Sequence, residues 1–274
     1  MARSVRHSAA HTPRTVIRET PMAKTASACL LVIGATLVAL GSPAAANAAT
    51  ERPATGSTTG IPSTGPAHSL VRHAGADNSW GGYAVTGGTY HSVTGNWTVP
   101  ALNCSATAGD ISFWSGLDGW TSSTVEQIGL DAVCTKSGQV QYNPWVEMYP
   151  ANSIYFSEPI EAGDTMTSSV VTNGSGSFTL VLADPTRGWT KTYTKSLKSA
   201  ALSSAEVIVE AIGSQDIPPC PDFSSIQFTD VTANGGTFAG AGTVNSTNLE
   251  RNGVLLTQDG ALDGTSFPVG WLHA

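Results

Sequence analysis

The sequence predicts an all-β fold, a sandwich or a barrel, and three observations carry that expectation. The 274 residues include 29 Gly and 15 Pro but only 12% charged residues. Gly, Thr, Ser, Val and Pro are the residues of strands and tight turns, whereas helical chains are rich in Ala, Glu, Lys, Leu and Arg. No stretch sustains the 3.6-residue apolar period of an amphipathic helix. From Ser79 onward, short β-prone runs alternate with Gly, Pro, Asn and Asp clusters, at the spacing of a sandwich or barrel.

In chain order these runs are SWGGYAV (79–85), TYHSVTGNWTVP (89–100), ISFWSGLDGW (111–120), VQYNPWVEMYP (140–150), MTSSVVTN (166–173), SFTLVLAD (177–184), WTKTYTKSL (189–197), AEVIVEAI (205–212), SSIQFTDV (224–231), GTFAGAG (236–242) and GVLLTQDG (253–260). One hairpin is nearly explicit: SFTLVLA, the turn DPTRG at 184–188, then WTKTYTKS. In its second arm Trp189, Lys191, Tyr193 and Lys195 alternate with Thr and Ser, the pattern of a solvent-facing strand. No repeat of 20–50 residues is present, and no internal linker divides the body 79–274, so one domain is expected.

The N-terminal stretch reads differently. Basic residues from Arg3 to Lys24 precede the apolar run ACLLVIGATLVAL at 28–40, and Ala46-Asn47-Ala48 fits a small-x-small cleavage site. The apolar run is shorter than the roughly 20 residues of a membrane span. Residues 1–49 are therefore expected to be a secretory signal peptide, with Met22 as an alternative start. Residues 50–78, rich in Pro, Gly, Ser and Thr, cannot bury enough apolar surface to offset chain entropy and read as a flexible linker or short propeptide. An extracellular location follows, with no membrane association after signal cleavage.

Residues 50–274 carry 8 basic and 19 acidic side chains, a net of −11. That leaves no basic footprint for nucleic acid or an anionic membrane. Of the four cysteines Cys29 lies in the leader; Cys104 and Cys134 are expected to pair in an oxidising compartment, leaving Cys220 over. No CxxC pair or His cluster has metal-ligand spacing, so no metal or cofactor is predicted. Nothing in the sequence demands an oligomer, and a monomer is expected.

Catalytic signatures are sparse. His91 is the one histidine within a strand-like run, and no GxSxG elbow accompanies it. Asp263-Gly264-Thr265 is only half of an aspartic-peptidase pair. Carboxylate and amide chemistry remains. Glu206 and Glu210 share one face of the 205–212 strand with Ile208, and burying an unpaired carboxylate is costly, so that face is expected to be an open cleft or solvent. The segments 113–131 and 143–150 gather Trp114, Trp120, Trp145 and Tyr149 with Asp118, Glu126, Gln127 and Glu147, a combination suited to gripping an extended polymer, peptide or sugar.

SWGGYAV, TGNWTVP, WSGLDG, VEQIGLD, WVEMYP and AEVIVEA, in that order, resemble the glutamic peptidase (eqolisin) family of secreted acid endopeptidases. The resemblance implies a single-domain β-sandwich of two long, bent antiparallel sheets, concanavalin- or lectin-like, whose concave face binds protein or peptide substrates. It implies a catalytic pair of Gln127 and Glu206, supported by Trp114, Asp118, Gly119, Glu147, Tyr149 and Pro150, with Glu210 as the runner-up carboxylate. Asp118 and Glu147 would orient the pair from behind, and their charge would raise the pKa of Glu206 if they lie near it. Val207 stands where the family usually has Trp, a departure expected to alter cleft packing or specificity beside the glutamate. The implied chemistry is a water activated by a Glu general base, with a Gln amide as a donor that cannot ionise in acid. The alternatives are a carbohydrate-active sandwich with paired carboxylates and a non-catalytic ligand-binding module.

Overall fold

The computed structural model describes residues 79–105, 108–212 and 219–274, together with the backbone of 75–77. The expected signal peptide at 1–49, and the expected linker or propeptide apart from that backbone, lie outside the described residues.

Two sheets make up the described body. Across the first, the order is β1 (Gly75–Asp77), β14 (Thr243–Arg251), β2 (Trp80–Thr86), β11 (Ser204–Glu210), β4 (Gly109–Leu117), β5 (Val125–Cys134), β6 (Val140–Tyr149) and β7 (Ile154–Tyr155), with β15 (Val254–Leu255) paired to β14. Across the second it is β10 (Trp189–Ser196), β9 (Ser177–Asp184), β8 (Thr165–Thr172), β3 (Ser92–Thr98), β12 (Ser225–Ala233), β17 (Phe267–Trp271) and β16 (Thr257–Asp259), with β13 (Gly236–Thr237) on β12. Every described pairing is antiparallel except β1 with β14. The predicted hairpin is present, with Trp189 opposite Asp184 and Ser196 opposite Ser177.

The sheets close on one apolar core. Val207, Val209, Phe113, Ile128, Leu130 and Val146 come from the first sheet, and Val93, Trp97, Met166, Val170, Leu180 and Phe228 from the second. Each such side chain withdrawn from water contributes roughly 1.5–3 kcal/mol. The Cys104–Cys134 disulfide ties the end of β5 to the loop before β4. Its sequence separation of 30 corresponds to about 3–4 kcal/mol of loop entropy. Cys220 is buried, and burial pushes its thiol up to about 12.

Several expectations need correction. GTFAGAG forms a strand only at Gly236–Thr237 and then a 3-10 turn, Phe238–Gly240, because its glycines offer no side chains to a ladder while Phe238 plugs into the core. Five strands lay outside the predicted runs, the short β1 and β7 and three longer ones. VEQIGLD, read as a motif, is the central strand β5. β14 is polar almost throughout, and β17 contains Pro268, whose carbonyl serves as an acceptor for Gly260. His91 is exposed just ahead of β3, in the sheet that does not carry the Glu206 cluster. Among the described residues, no helix is long and apolar enough to cross a membrane.

Candidate active site

Antiparallel register decides which side chains share a face, because directly paired residues project to the same side. Across the first sheet one row reads Asn245, Ala84, Glu206, Gly116, Gln127, Glu147. The next reads Thr247, Gly82, Ile208, Trp114, Gly129, Trp145, Tyr155. A third brings together Trp80, Glu210, Ser112, Asp131 and Asn143. All three rows lie on the face turned away from the inter-sheet core. Glu206 and Glu210 thus share a face, as strand alternation predicts.

That face is not open to solvent at the acids: Glu206, Glu210, Gln127, Glu147 and Asp131 are all buried. The expectation of an open or solvated face is corrected by the aromatic cluster spread across it. Trp80, Trp114, Trp145, Val125 and Ile208 form a second apolar group, flanked by half-buried Trp120, Tyr149 and Tyr155. Trp80 and Trp114 meet edge to face at 4.8 Å. Trp114 spreads over Gly116, where a Cβ would lie 2.9 Å from its Cζ3 and 3.0 Å from Gln127 Cβ.

Gly116 also sets the spacing of the central pair. Glu206 and Gln127 flank it, two strand intervals or about 10 Å apart along the row. Gly116 contributes no side chain of its own between them, and the Trp114 ring lies over it. Gln127 Nε2 donates to Glu147 Oε2 at 2.6 Å. This contact turns the carbonyl Oε1 the other way, where no group among the described residues donates to it.

The remaining acids hold the scaffold. Trp114 Nε1 donates to Glu210 Oε2 at 2.8 Å, so Glu210 fixes the indole beside the central pair. Asp131 accepts from Trp145 Nε1 at 2.6 Å and from the hydroxyls of Ser112 and Tyr155. Charge-assisted hydrogen bonds of this kind are worth about twice neutral ones. Asp131, Ser112, Trp80 and Tyr155 were not singled out from the sequence. The signal for Asp131 was present, since it lies four residues after Gln127 and therefore on the same strand face.

Asp118 and Gly119 lie at the end of β4 and act on the chain path. Asp118 has φ 68, and its carboxylate accepts from the backbone N–H groups of Ala201, Leu202 and Ser203, each at 2.8 Å, and from Ser203 Oγ at 3.1 Å. This ties down the loop that enters β11 just before Glu206. Gly119, at φ 101, could not carry a side chain, because a Cβ there would lie 2.7 Å from Val125 and 3.0 Å from Trp80. Tyr149 borders the aromatic cluster, and the Tyr149–Pro150 bond that follows is cis.

Val207 requires a correction. It points away from the site into the inter-sheet core, with Gly95 against its methyl groups, because it is one residue out of phase with Glu206. Its departure from Trp therefore bears on core packing and not on the cleft.

Comparison with known proteins bears on the family and the fold. A model of the peptidase A4 family matches residues 78–271. The chain is 28% identical over 221 residues to aspergillopepsin-2 of Aspergillus niger, covering 71% of this chain and 78% of that protein. It is 30% identical over 180 residues to scytalidopepsin B of Scytalidium lignicola, covering 60% and 67%. Its fold is similar to a crystal structure of scytalido-glutamic peptidase with a peptide-based transition-state analogue, with a TM-score of 0.63 and 25% identity over 72% of this chain and 99% of that one. It is also similar to aspergilloglutamic peptidase from Aspergillus niger, with a TM-score of 0.53 and 29% identity over 60% and 99%. With the family match running through nearly all of the two-sheet body, the chain belongs to the peptidase A4 family of glutamic peptidases, or eqolisins, and is an endopeptidase.

Proposed function

We propose that this chain is a secreted, pepstatin-insensitive acid endopeptidase in which Glu206 is the general base and acid and Gln127 the oxyanion donor. One observation supports the reading above all: Glu206 and Gln127 face the same side of the sheet across Gly116, which contributes no side chain to the space between them. In this reading a water lies in that space, and the ionised Glu206 takes its proton as it attacks the scissile carbonyl. Gln127 Oε1 orients the water, and the second Nε2 hydrogen, the one not given to Glu147, stabilises the oxyanion. Glu206 then passes the proton to the leaving amine. An amide does not titrate, so the donor survives in acid where a histidine would change charge.

Glu147 keeps the Gln127 amide from rotating, Glu210 keeps Trp114 in place, and Asp118 seats the loop before Glu206. Trp114, Tyr149 and their neighbours form the apolar floor for an extended peptide. Pepstatin-insensitivity follows from the absence of an aspartic pair in this arrangement. Residues 1–49 serve as the export signal and 79–274 as the catalytic body.

The test is cleavage of an unfolded protein from pH 2 to 8 with pepstatin present, for wild type, Gln127→Ala and Glu206→Gln. Loss of one general acid–base group costs roughly 10²–10⁴-fold and loss of one oxyanion donor about 10²–10³-fold. Both variants are expected to lose activity to that degree while remaining folded. Wild-type activity abolished by pepstatin, or retained in Glu206→Gln, would overturn the assignment.

A further inference from the structure

The mechanism leaves one buried acid without a role. Glu126 precedes Gln127 and so projects from the opposite face of β5, into the sandwich, at a register position between Leu117 and Met148. It is fully buried, and neither of its oxygens makes a hydrogen bond of normal geometry. A carboxylate in such a place is strongly disfavoured. The side chains that reach it are Asp118, one residue beyond its partner Leu117, and Thr124. Asp118 is also buried, and four donors from the 201–203 loop occupy its oxygens.

Among the described residues, the other elements packed on β5 bring no compensating cation. Facing strands β8 and β9 present Met166, Ser168, Val170, Leu180 and Leu182 to the interior. The acids at the ends of those strands, Asp164 and Asp184, are engaged with Arg187. On β6 the residue beside Glu126 is Met148. The charge that acts on Glu126 among the described residues is therefore the negative one on Asp118.

We propose that Glu126 is a positioning residue for the reaction: in its protonated form it sits against the Asp118 carboxylate, keeps that carboxylate seated under residues 201–203, and thereby holds Glu206 in place opposite Gln127. Ionisation of Glu126 would put two carboxylates in one dry site, and relief of that repulsion requires Asp118 to let go of the loop. The inference rests on Glu206 being catalytic for its link to activity, but not for its structural part. Burial, then the Asp118 charge, push the Glu126 carboxyl from its ordinary 4.5 up to about 9. The folded value lies above the unfolded one, so the stabilisation is complete below about 4.5 and is lost as the pH rises toward about 9. Within that window the unfolding equilibrium shifts by up to about tenfold per pH unit.

The experiment compares full-length wild type with Glu126→Gln. Gln keeps the size and can donate to Asp118 at every pH. Amide hydrogen exchange at Ala201, Leu202 and Ser203, corrected for intrinsic base catalysis, is followed from pH 5 to 8 beside the thermal midpoint. Wild type is expected to lose protection at these three amides and to lose thermal stability with rising pH; Glu126→Gln is expected to keep the protection nearly level and to show a shallower thermal loss, with the part that belongs to Asp259 remaining. At acid pH its kcat and KM are expected within about threefold of wild type. Equal pH profiles for the two proteins would overturn the proposal, as would a collapse of kcat for Glu126→Gln at acid pH. If Glu126→Gln does not fold, infrared spectroscopy of Asp259→Asn, which removes the other carboxyl pushed up to about 8, reads the group; the carbonyl band of a protonated buried carboxyl must persist there at pH 7, and its absence would overturn the proposal. Should Glu206→Gln retain activity, the catalytic reading fails while the exchange profile still decides the anchor.

Discussion

The outer faces of the two sheets are built from opposite materials. On the second sheet the strands alternate in the ordinary way: inward residues of β8, β9 and β12 are buried, and their outward positions carry hydroxyls and amides such as Thr179, Ser169, Thr229 and Gln227. On the first sheet the alternation disappears. Strands β2, β4, β5 and β11 are buried at nearly every position on both faces. A sheet covered on only one side needs no acids under cover, yet the first sheet hides Glu206, Glu210, Glu147 and Asp131, with the Gln127 amide, beneath its own tryptophans. Buried polar groups are retained where they are hydrogen-bonded or where they work. The contrast singles out the face to which the chemistry is assigned under the proposed function.

The contrast can be broken most severely at Gly116. Its outward position is the one point in the central row where a methyl group would intrude between Glu206 and Gln127. A Cβ would also press on Trp114 at 2.9 Å and Gln127 at 3.0 Å, and the Glu126 carbonyl lies 3.2 Å away. Gly116→Ala is expected to lower kcat about 100-fold, the effect of a small misplacement of reacting groups. Overpacking should cost about 1–3 kcal/mol of stability. Peptide hydrolysis and denaturant unfolding measure the two effects, and an unimpaired Gly116→Ala enzyme would remove the spacing argument.

Much of this site was legible in the sequence because a strand's period of two is rigid. Knowing that 205–212 is a strand is enough to place Glu206 with Glu210, and VEQIGLD likewise places Gln127 with Asp131. What the residues alone could not reveal is cross-strand register. The row from Glu206 through Gly116 to Gln127 and Glu147 depends on pairings between residues up to 90 positions apart, which no local pattern encodes. Burial was misjudged for the same reason, since the indoles covering the acids come from β2, β4 and β6. β14 escaped notice because its polar sequence owes its strand form to partners on both sides and not to propensity.

The second sheet also carries covered acids; Asp184 at the end of β9 lies beside Arg187, and Asp259, whose carboxylate oxygens are buried, sharpens the comparison at a lower amplitude. Asp259, on edge strand β16, reaches across to the first sheet near the backbone of Gly82 and Thr247, and its own N–H donates to Asn248 Oδ1 at 2.8 Å. Burial raises its carboxyl from 3.8 to about 8, with the two backbone groups opposing the rise. The folded value is the higher one, so the stabilisation is full below about 3.8 and is lost as the pH climbs toward about 8. The loss amounts to at most about 1.4 kcal/mol per pH unit in that range. Asp259→Asn is expected to flatten the fall in thermal midpoint between pH 5 and 8 with little change at pH 4. Asp164 runs the other way: the Arg187 side chain overcomes burial and lowers its pKa, so its contribution fades only as the pH falls below the ordinary aspartate range. Burial likewise raises Asp184, so Glu126, Asp184 and Asp259 all give up stabilisation as the pH rises, and an unchanged slope in Asp259→Asn would show that its carboxyl is not neutral in the fold.

The smallest effect belongs to the hydroxyl face, and its smallness is the informative part. Thr192 on β10 and Thr179 on β9 are exposed, bear no charge that changes with pH, and stand on the side of the sheet opposite the core. Substituting either by Ala should change stability by no more than about 0.5 kcal/mol and leave peptide hydrolysis within about twofold. Asp131→Asn, also outward-facing but on the first sheet, strips the charge from the acceptor of Ser112, Trp145 and Tyr155 and should cost about 1–3 kcal/mol. Chemical denaturation of the three variants at one acid pH measures the ratio. If the two threonines cost as much as Asp131, hydroxyl and carboxylate faces are structurally equivalent, and buried acids on an outer face lose their standing as a marker of function. If they cost little, a strand buried on both sides and carrying acids on its outer face is itself a pointer to a site.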